Sequence, residues 1–433
     1  MKRTISLCLG AALLAGVLAG CTGEEEPSSA QARYRDGSYT ARFDTAGEDG
    51  YTAYAAVTVE NDVVTVTEFD GENAAGEKRS ADSALADEMA QASPENLPEP
   101  VTPALAGAEA IRQFDAAGGD PEAMRFVAGA PEYGEDLRVL VQAVLDGPAS
   151  DPDGTAAEVT VPWYADGEYR VEVAEFDLSG YKEYVVLTVS GGAPAVTEFD
   201  GYDEDGALRS ADTEINPTVP YSESVPALVD SFNAGGTVES IETVTGATES
   251  SDAFRLLVER ALENAHARGP AEDAVDVTGD GDGLKDGVYR AEMAGFENGW
   301  KDYLTAAVYR GEVQILELDS ENEAGDRKST DSGFTDAPAG DPKAYLQRIV
   351  DAYYNADGDL SEMVNIAGAT VSTNNFKLML GELLGSNMLT GDTETRTVAL
   401  LTEEEVTAAD EELSSSESAS ESSSSEDGSS SAA

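Results

Sequence analysis

Residues Ala367-Gly368-Ala369-Thr370 run directly into Val371-Ser372-Thr373-Asn374-Asn375-Phe376, and this stretch decides how the chain is read. It recurs as Thr245-Gly246-Ala247-Thr248 followed by Glu249-Ser250-Ser251-Asp252-Ala253-Phe254. A third, altered copy is Ala128-Gly129-Ala130-Pro131. Beyond each copy apolar residues fall at helical spacing: Phe376, Met379, Leu380, Leu383 and Leu384; Phe254, Leu257, Val258, Ala261 and Leu262; Leu137, Leu140, Val141, Val144 and Leu145. That spacing lines one face of an amphipathic helix. A turn of small residues therefore brings a threonine to a helix start twice, and a proline once.

Working upstream from each turn, the same order of segments appears three times. The openings are Asp36-Gly37-Ser38-Tyr39, Asp166-Gly167-Glu168-Tyr169 and Asp286-Gly287-Val288-Tyr289. A glycine-aromatic signature follows: Gly50-Tyr51 with Tyr54, Gly180-Tyr181 with Tyr184, Gly299-Trp300 with Tyr303. Next come paired β-branched runs broken at Asn61-Asp62, Gly191-Gly192 and Arg310-Gly311, which predict hairpins. Then Asn73-x-x-Gly76-x-Lys78-Arg79-Ser80-x-Asp82 recurs as Asp203-x-x-Gly206-x-Leu208-Arg209-Ser210-x-Asp212 and Asn322-x-x-Gly325-x-Arg327-Lys328-Ser329-x-Asp331. A helix is expected before each turn, with faces such as Val225, Leu228, Val229, Phe232 and Leu346, Ile349, Val350, Tyr353. Strands, a helix, the turn and a closing helix predict an α+β fold of three tandem repeats, each a small antiparallel sheet with packed helices. The expected spans are 34–146, 164–268 and 285–387, with linkers at about 147–163 and 269–284.

The ends read differently. Lys2 and Arg3 precede an apolar run from Ile5 to Leu18, which ends in Leu18-Ala19-Gly20-Cys21. The run is short for a spanning helix and stops in small residues, so residues 1–20 read as a signal peptide. Its pattern resembles a bacterial lipoprotein signal, which implies lipid on Cys21 and anchoring at the extracytoplasmic face of the cell membrane. The plainer reading is a secretory signal with a chance cysteine. Residues 21–33 form a tether, and 401–433, rich in Ser and Glu, are expected to be a disordered tail. Cys8 falls within the expected signal, so the mature chain offers no cysteine pair for a disulfide or metal site.

The chain has 433 residues and a formal net charge of −59. Such a charge repels phosphate backbones and argues against nucleic-acid binding. His266 is the only histidine, so no catalytic triad or histidine metal cluster is built around it. Asp276-Val277-Thr278-Gly279-Asp280-Gly281-Asp282-Gly283 has some calcium-loop character, but Gly287 stands where the twelfth-position glutamate belongs, and the segment reads as an acidic linker.

The Asp-Gly-x-Tyr openings, the Asn-x-x-Gly-x-Arg-Lys-Ser segment and the Gly-Ala-Thr turn resemble the FMN-binding domain family, in its tandem, lipid-anchored surface branch linked to extracellular electron transfer. The resemblance covers nearly the whole chain between tether and tail. It implies FMN held by a phosphoester to Thr248 and Thr370, within turns made by Gly246, Ala247, Gly368 and Ala369. It also implies a flavin transferase and a membrane dehydrogenase or quinone-linked donor as partners, and an electron carrier more than an enzyme with its own substrate. Small residues let backbone amides approach a phosphate, and a helix N-terminus favours its charge. The family's leading aspartate falls on Glu242 and Val364, so one repeat keeps a carboxylate and the other loses it. Pro131 has no hydroxyl, which excludes the first repeat. A Gly-Ala-Thr triplet also occurs as an ordinary helix cap. Trp300, Tyr303 and their counterparts fit a flavin ring or, more simply, each repeat's core. Arg79, Arg327 and Lys328 fit a phosphate or surface ion pairs. The rival reading is a cofactor-free surface module that uses the same fold to bind a partner; a lesser one is release of the peptide before Cys21 as a signal.

Overall fold

A computed structural model describes residues 33–212, 219–275, 283–331, 333 and 340–400. The expected signal, Cys21, the tail and the calcium-like stretch at 276–282 lie outside the described residues.

Three similar sheets confirm the α+β repeat architecture. In the first repeat β1 (Gly37–Phe43), β2 (Thr52–Glu60) and β3 (Val63–Glu72) pair antiparallel. The second repeat has β5 (Gly167–Val173), β6 (Lys182–Ser190) and β7 (Ala193–Tyr202), and the third β9 (Gly287–Met293), β10 (Lys301–Tyr309) and β11 (Glu312–Glu321). Both hairpin-turn residues have positive φ in every copy: Asn61 and Asp62, Gly191 and Gly192, Arg310 and Gly311. Those are the torsions that match the twist of paired strands. A register shift recurs at one place in the central hairpin, at Ala56/Val57, Val186/Leu187 and Thr305/Ala306.

The linkers expected at 147–163 and 269–284 are only partly linkers. Glu158–Val161 forms β4, which pairs parallel with β1, and Glu272–Val275 forms β8, which pairs parallel with β5. In the third repeat Arg396–Val398 forms β12 on β9 in the same way. Each sheet thus takes its fourth strand from beyond the span that periodicity assigned. These strands have three or four residues, too few for alternation to show against a polar background.

Helices cover one face of each sheet. The first repeat has α1 (Ser83–Ala92), α2 (Pro103–Ala116) and α3 (Pro131–Asp146); the second has α4 (Tyr221–Gly235) and α5 (Thr248–Ala267). The third has α6 (Pro342–Asn355) and α7 (Thr370–Glu382), which continues through a wider turn at Leu383–Asn387. The predicted faces are the buried ones: Leu137, Leu140, Val141 and Val144; Phe254, Leu257, Val258 and Ala261; Phe376, Met379, Leu380 and Leu383. Each set joins its own sheet in a separate apolar core.

The recurrent polar motifs turn out to be fasteners. The opening aspartate accepts a hydrogen bond from the hairpin turn: Asp36 from Asn61 N–H at 2.7 Å, Asp166 from Gly192 at 2.9 Å, Asp286 from Arg310 at 2.7 Å. The opening tyrosine folds back over its own glycine, where a Cβ would meet the ring, and donates to the carbonyl of Arg35, Ala165 or Lys285. In the Arg-Ser segment, Ser80, Ser210 and Ser329 each donate through Oγ at 2.5 Å to Asp70, Asp200 and Asp319. The backbone N–H of each serine bonds the same carboxylate, which pins the loop to the third strand.

Candidate functional site

The glycine-alanine turns have one geometry in all three repeats. Gly129, Gly246 and Gly368 have φ of +78°, +87° and +81°. A Cβ on Gly246 would stand 2.9 Å from Val219 Cγ2, so only glycine suits both torsion and space there. Ala247 and Ala369 are the N-cap residues and make no side-chain cap, which places Thr248 and Thr370 as the first residues inside their helices. Neither threonine therefore acts as a helix cap. Both are exposed.

A hydroxyl three residues further on braces each intact turn. Ser251 Oγ donates to Ala247 O at 2.7 Å and accepts from Val244 N–H at 3.1 Å. Thr373 Oγ1 donates to Ala369 O at 2.9 Å and accepts from Ile366 N–H at 3.3 Å. The first repeat has Gly134 at this place and Pro131 at the helix start, so it lacks both the brace and the attachment hydroxyl. The backbone N–H groups of Thr248, Glu249 and Ser250 have no acceptor among the described residues, nor do those of Thr370, Val371 and Ser372. Each threonine thus sits among free donors at the positive end of a helix, the environment a phosphate needs.

Beneath the first turn of α5 lies a buried polar cluster. Ser250 Oγ donates to Glu183 Oε1 at 2.8 Å, and Arg209 Nη1 meets Glu183 at 3.1 Å and Asp177 at 2.9 Å. Burial pushes the Glu183 carboxyl above the ordinary carboxylate range, against the pull of Ser250 and Arg209. The Tyr221 hydroxyl and Arg209 Nε are buried without a hydrogen-bond partner. In the third repeat Asp302 takes the place of Glu183, bonded by Ser320 Oγ at 2.5 Å and Asn375 Nδ2 at 2.9 Å. Unspent donors at an exposed threonine, with orphaned polar atoms below, fit a phosphate ester in the second repeat; in the third the polar groups are satisfied internally.

Other expected residues sort by location. Glu242 is exposed and Val364 is 71 % exposed, so neither joins the buried cluster. Trp300, Tyr303 and their counterparts Tyr51, Tyr54, Tyr181 and Tyr184 are buried but stand apart from the three apolar cores. Tyr54, Tyr184 and Tyr303 each also carry an arginine over the ring, Arg42, Arg170 and Arg290, at 5.0, 3.7 and 4.1 Å. Arg79 is buried against Asp49 and the Tyr133 ring, and Arg327 pairs with Glu317 at 2.6 Å. Lys328 lies 6.0 Å from the Trp300 ring.

His266, unremarkable in the sequence, sits at the junction of the first two repeats. Nε2 is 2.8 Å from Asp136 Oδ1 and Nδ1 is 3.1 Å from the Trp163 carbonyl, while the ring lies on Trp163 with centroids 4.2 Å apart. Neither partner was legible beforehand, because they lie 130 and 103 residues away. The first and third repeats also touch: Tyr309 OH donates to Glu135 Oε1 at 3.0 Å, and Asn96 Nδ2 to Val288 O at 3.0 Å.

No family model matches the chain. A Clostridium perfringens protein of known crystal structure is 30 % identical, with 26 % of this chain and 98 % of that one covered at a TM-score of 0.24. The 15 kDa lipoprotein of Treponema pallidum is 31 % identical over 112 residues, which cover 24 % of this chain and 79 % of that protein. A match of this identity over most of the shorter protein's length shows descent, and the chain belongs to the family of the Treponema pallidum 15 kDa lipoprotein.

Proposed function

We propose that the chain is a lipid-anchored extracytoplasmic protein whose second and third repeats present threonines for covalent attachment of FMN, and that it carries electrons. One observation carries this reading: Thr248 and Thr370 occupy the same exposed first helical position, behind the same left-handed glycine and within the same hydroxyl-braced turn. The relative named a lipoprotein and the lipoprotein-like pattern ending at Cys21 support the anchor. A bound flavin would supply reversible one- and two-electron redox chemistry. The chain's own part is to hold the hydroxyl in the open for a flavin transferase and to surround the ester with unspent N–H donors. The second repeat also keeps Arg209, Glu183 and Tyr221 beneath that turn. Thr248 is the stronger site, since its cluster retains orphaned polar atoms and its motif retains Glu242.

The test is in-gel flavin fluorescence of denatured protein from a host with a flavin transferase, beside Thr248→Ala and Thr370→Ala. A band that dims with either substitution supports the reading, and a dark wild-type band rejects it. The rival cofactor-free surface module draws on a different observation: two clefts lie between the first and third repeats, and neither is lined by Thr248 or Thr370.

A further inference from the structure

The larger of these clefts, about 760 Å³, runs between α2 and the adjoining loop of the first repeat and the β11–α6 side of the third. Four cations line it, Arg112 and Arg125 from one repeat and Arg327 and Lys343 from the other. In a chain with 85 acidic and 26 basic residues, such a convergence runs against composition.

Arg112 is held by Glu109 and Arg327 by Glu317, but Arg125 and Lys343 pair with no carboxylate among the described residues. Arg125 instead lays its guanidinium over the Tyr354 ring, 3.4 Å from the centroid. Stacking uses the flat face and leaves the N–H edge free to grip an anion. The cleft's own carboxylates are otherwise engaged: Asp319 by Ser320 N–H and Ser329, Asp351 by Gln347 Nε2 at 2.9 Å. Gln314, 4 % exposed, lines the same cleft, and its amide oxygen has no hydrogen-bond partner. A buried acceptor without a donor is rare in a folded protein.

We propose that this cleft binds the phosphate group of a small soluble molecule, bridged by Arg125 and Lys343, with a hydroxyl of the ligand donating to Gln314 Oε1. Two uncommitted cations match a dianion, and the orphaned acceptor asks for an O–H. The volume leaves room for an organic portion beside the phosphate. Because the cations come from two repeats, binding draws the first and third together. None of this depends on flavin at Thr248 or Thr370.

Inorganic phosphate and sulfate separate the two contacts, since hydrogenphosphate carries an O–H and sulfate does not. Titration calorimetry on the full chain at about 0.15 M salt screens the distant acidic field to within about 8 Å while leaving direct contacts. The expected result is saturable phosphate binding, weakened about tenfold by Arg125→Gln or Lys343→Gln, as loss of a charge-assisted bond implies. Arg112→Gln, whose arginine is already paired, is expected to matter less. Sulfate should bind several-fold more weakly, and Gln314→Leu should remove that preference by weakening phosphate alone. Arg125 and Lys343 are exposed, so their variants leave folding intact. No phosphate binding at about 20 mM, or binding that ignores both cation variants, overturns the proposal.

Discussion

Replacing His266 by alanine tests whether a single buried pair locks the first two repeats together. The substitution leaves the Asp136 carboxylate, 4 % exposed, with Arg79 Nη1 at 4.0 Å as its nearest recorded cation. Leaving a buried carboxylate without its hydrogen-bond donor costs about 1.5–3 kcal/mol, and the residual Arg79 contact favours the lower end. Loss of the ring from the stack on Trp163 and Phe43, at 4.2 and 5.2 Å, adds about 1 kcal/mol. The junction should therefore weaken by about 3 kcal/mol, or more than a hundredfold in its opening equilibrium. Trp163 reports this directly, because only one other tryptophan, Trp300, is present. In a Trp300→Phe background, denaturant titration followed by Trp163 emission should show an early transition in the His266→Ala protein. The cycle with Asp136→Ala should give a coupling energy of about 1–2 kcal/mol, because each single variant leaves the other group without its hydrogen-bond partner. Coupling under about 0.5 kcal/mol would mean that the pair is incidental to the junction.

Further expectations concern the fasteners and the candidate site. Ser210→Ala removes a 2.5 Å hydroxyl bond to the buried Asp200 carboxylate and should cost about 1.5–3 kcal/mol in chemical denaturation, with Ser80→Ala and Ser329→Ala alike; a silent Ser210→Ala would dismiss the clamp. Gly246→Ala combines a left-handed torsion with a 2.9 Å approach to Val219, whereas Gly206→Ala at φ +80° meets open space. The first should lower the melting temperature more than the second, whose strain alone is about 1–2 kcal/mol; equal losses would refute the packing argument. The Glu183 carboxyl is held above its ordinary range by burial, so its contribution favours folding at low pH and is lost as pH rises through the folded value. Glu183→Gln should accordingly gain thermal stability relative to wild type at pH 7 but not at pH 4, and a gain of the same size at both would contradict that sign.

Much of the fold could be read from the chain because repetition substitutes for depth of information. A helix face seen once is ambiguous, but Leu137, Phe254 and Phe376 each begin the same spacing after the same turn. The hairpins were legible for a local reason: Asn61-Asp62, Gly191-Gly192 and Arg310-Gly311 accept the left-handed torsions that a two-residue turn requires. The short fourth strands were not legible, since β4, β8 and β12 gain their hydrogen bonds only from strands far back in the chain.

The candidate site divides along the same line. Sequence alone determined where Thr248 and Thr370 stand, and that Pro131 disqualifies the first repeat, because turn and helix start are set by neighbouring residues. Tertiary structure decided what the recurrent polar residues do. It spent Asp70, Asp200 and Asp319 on serine clamps and buried the aromatics, brought Glu183 and Arg209 beneath the first turn of α5, and joined His266 to Asp136. Which carboxylate meets which cation depends on how distant segments pack, and no local pattern in the chain encodes that distance.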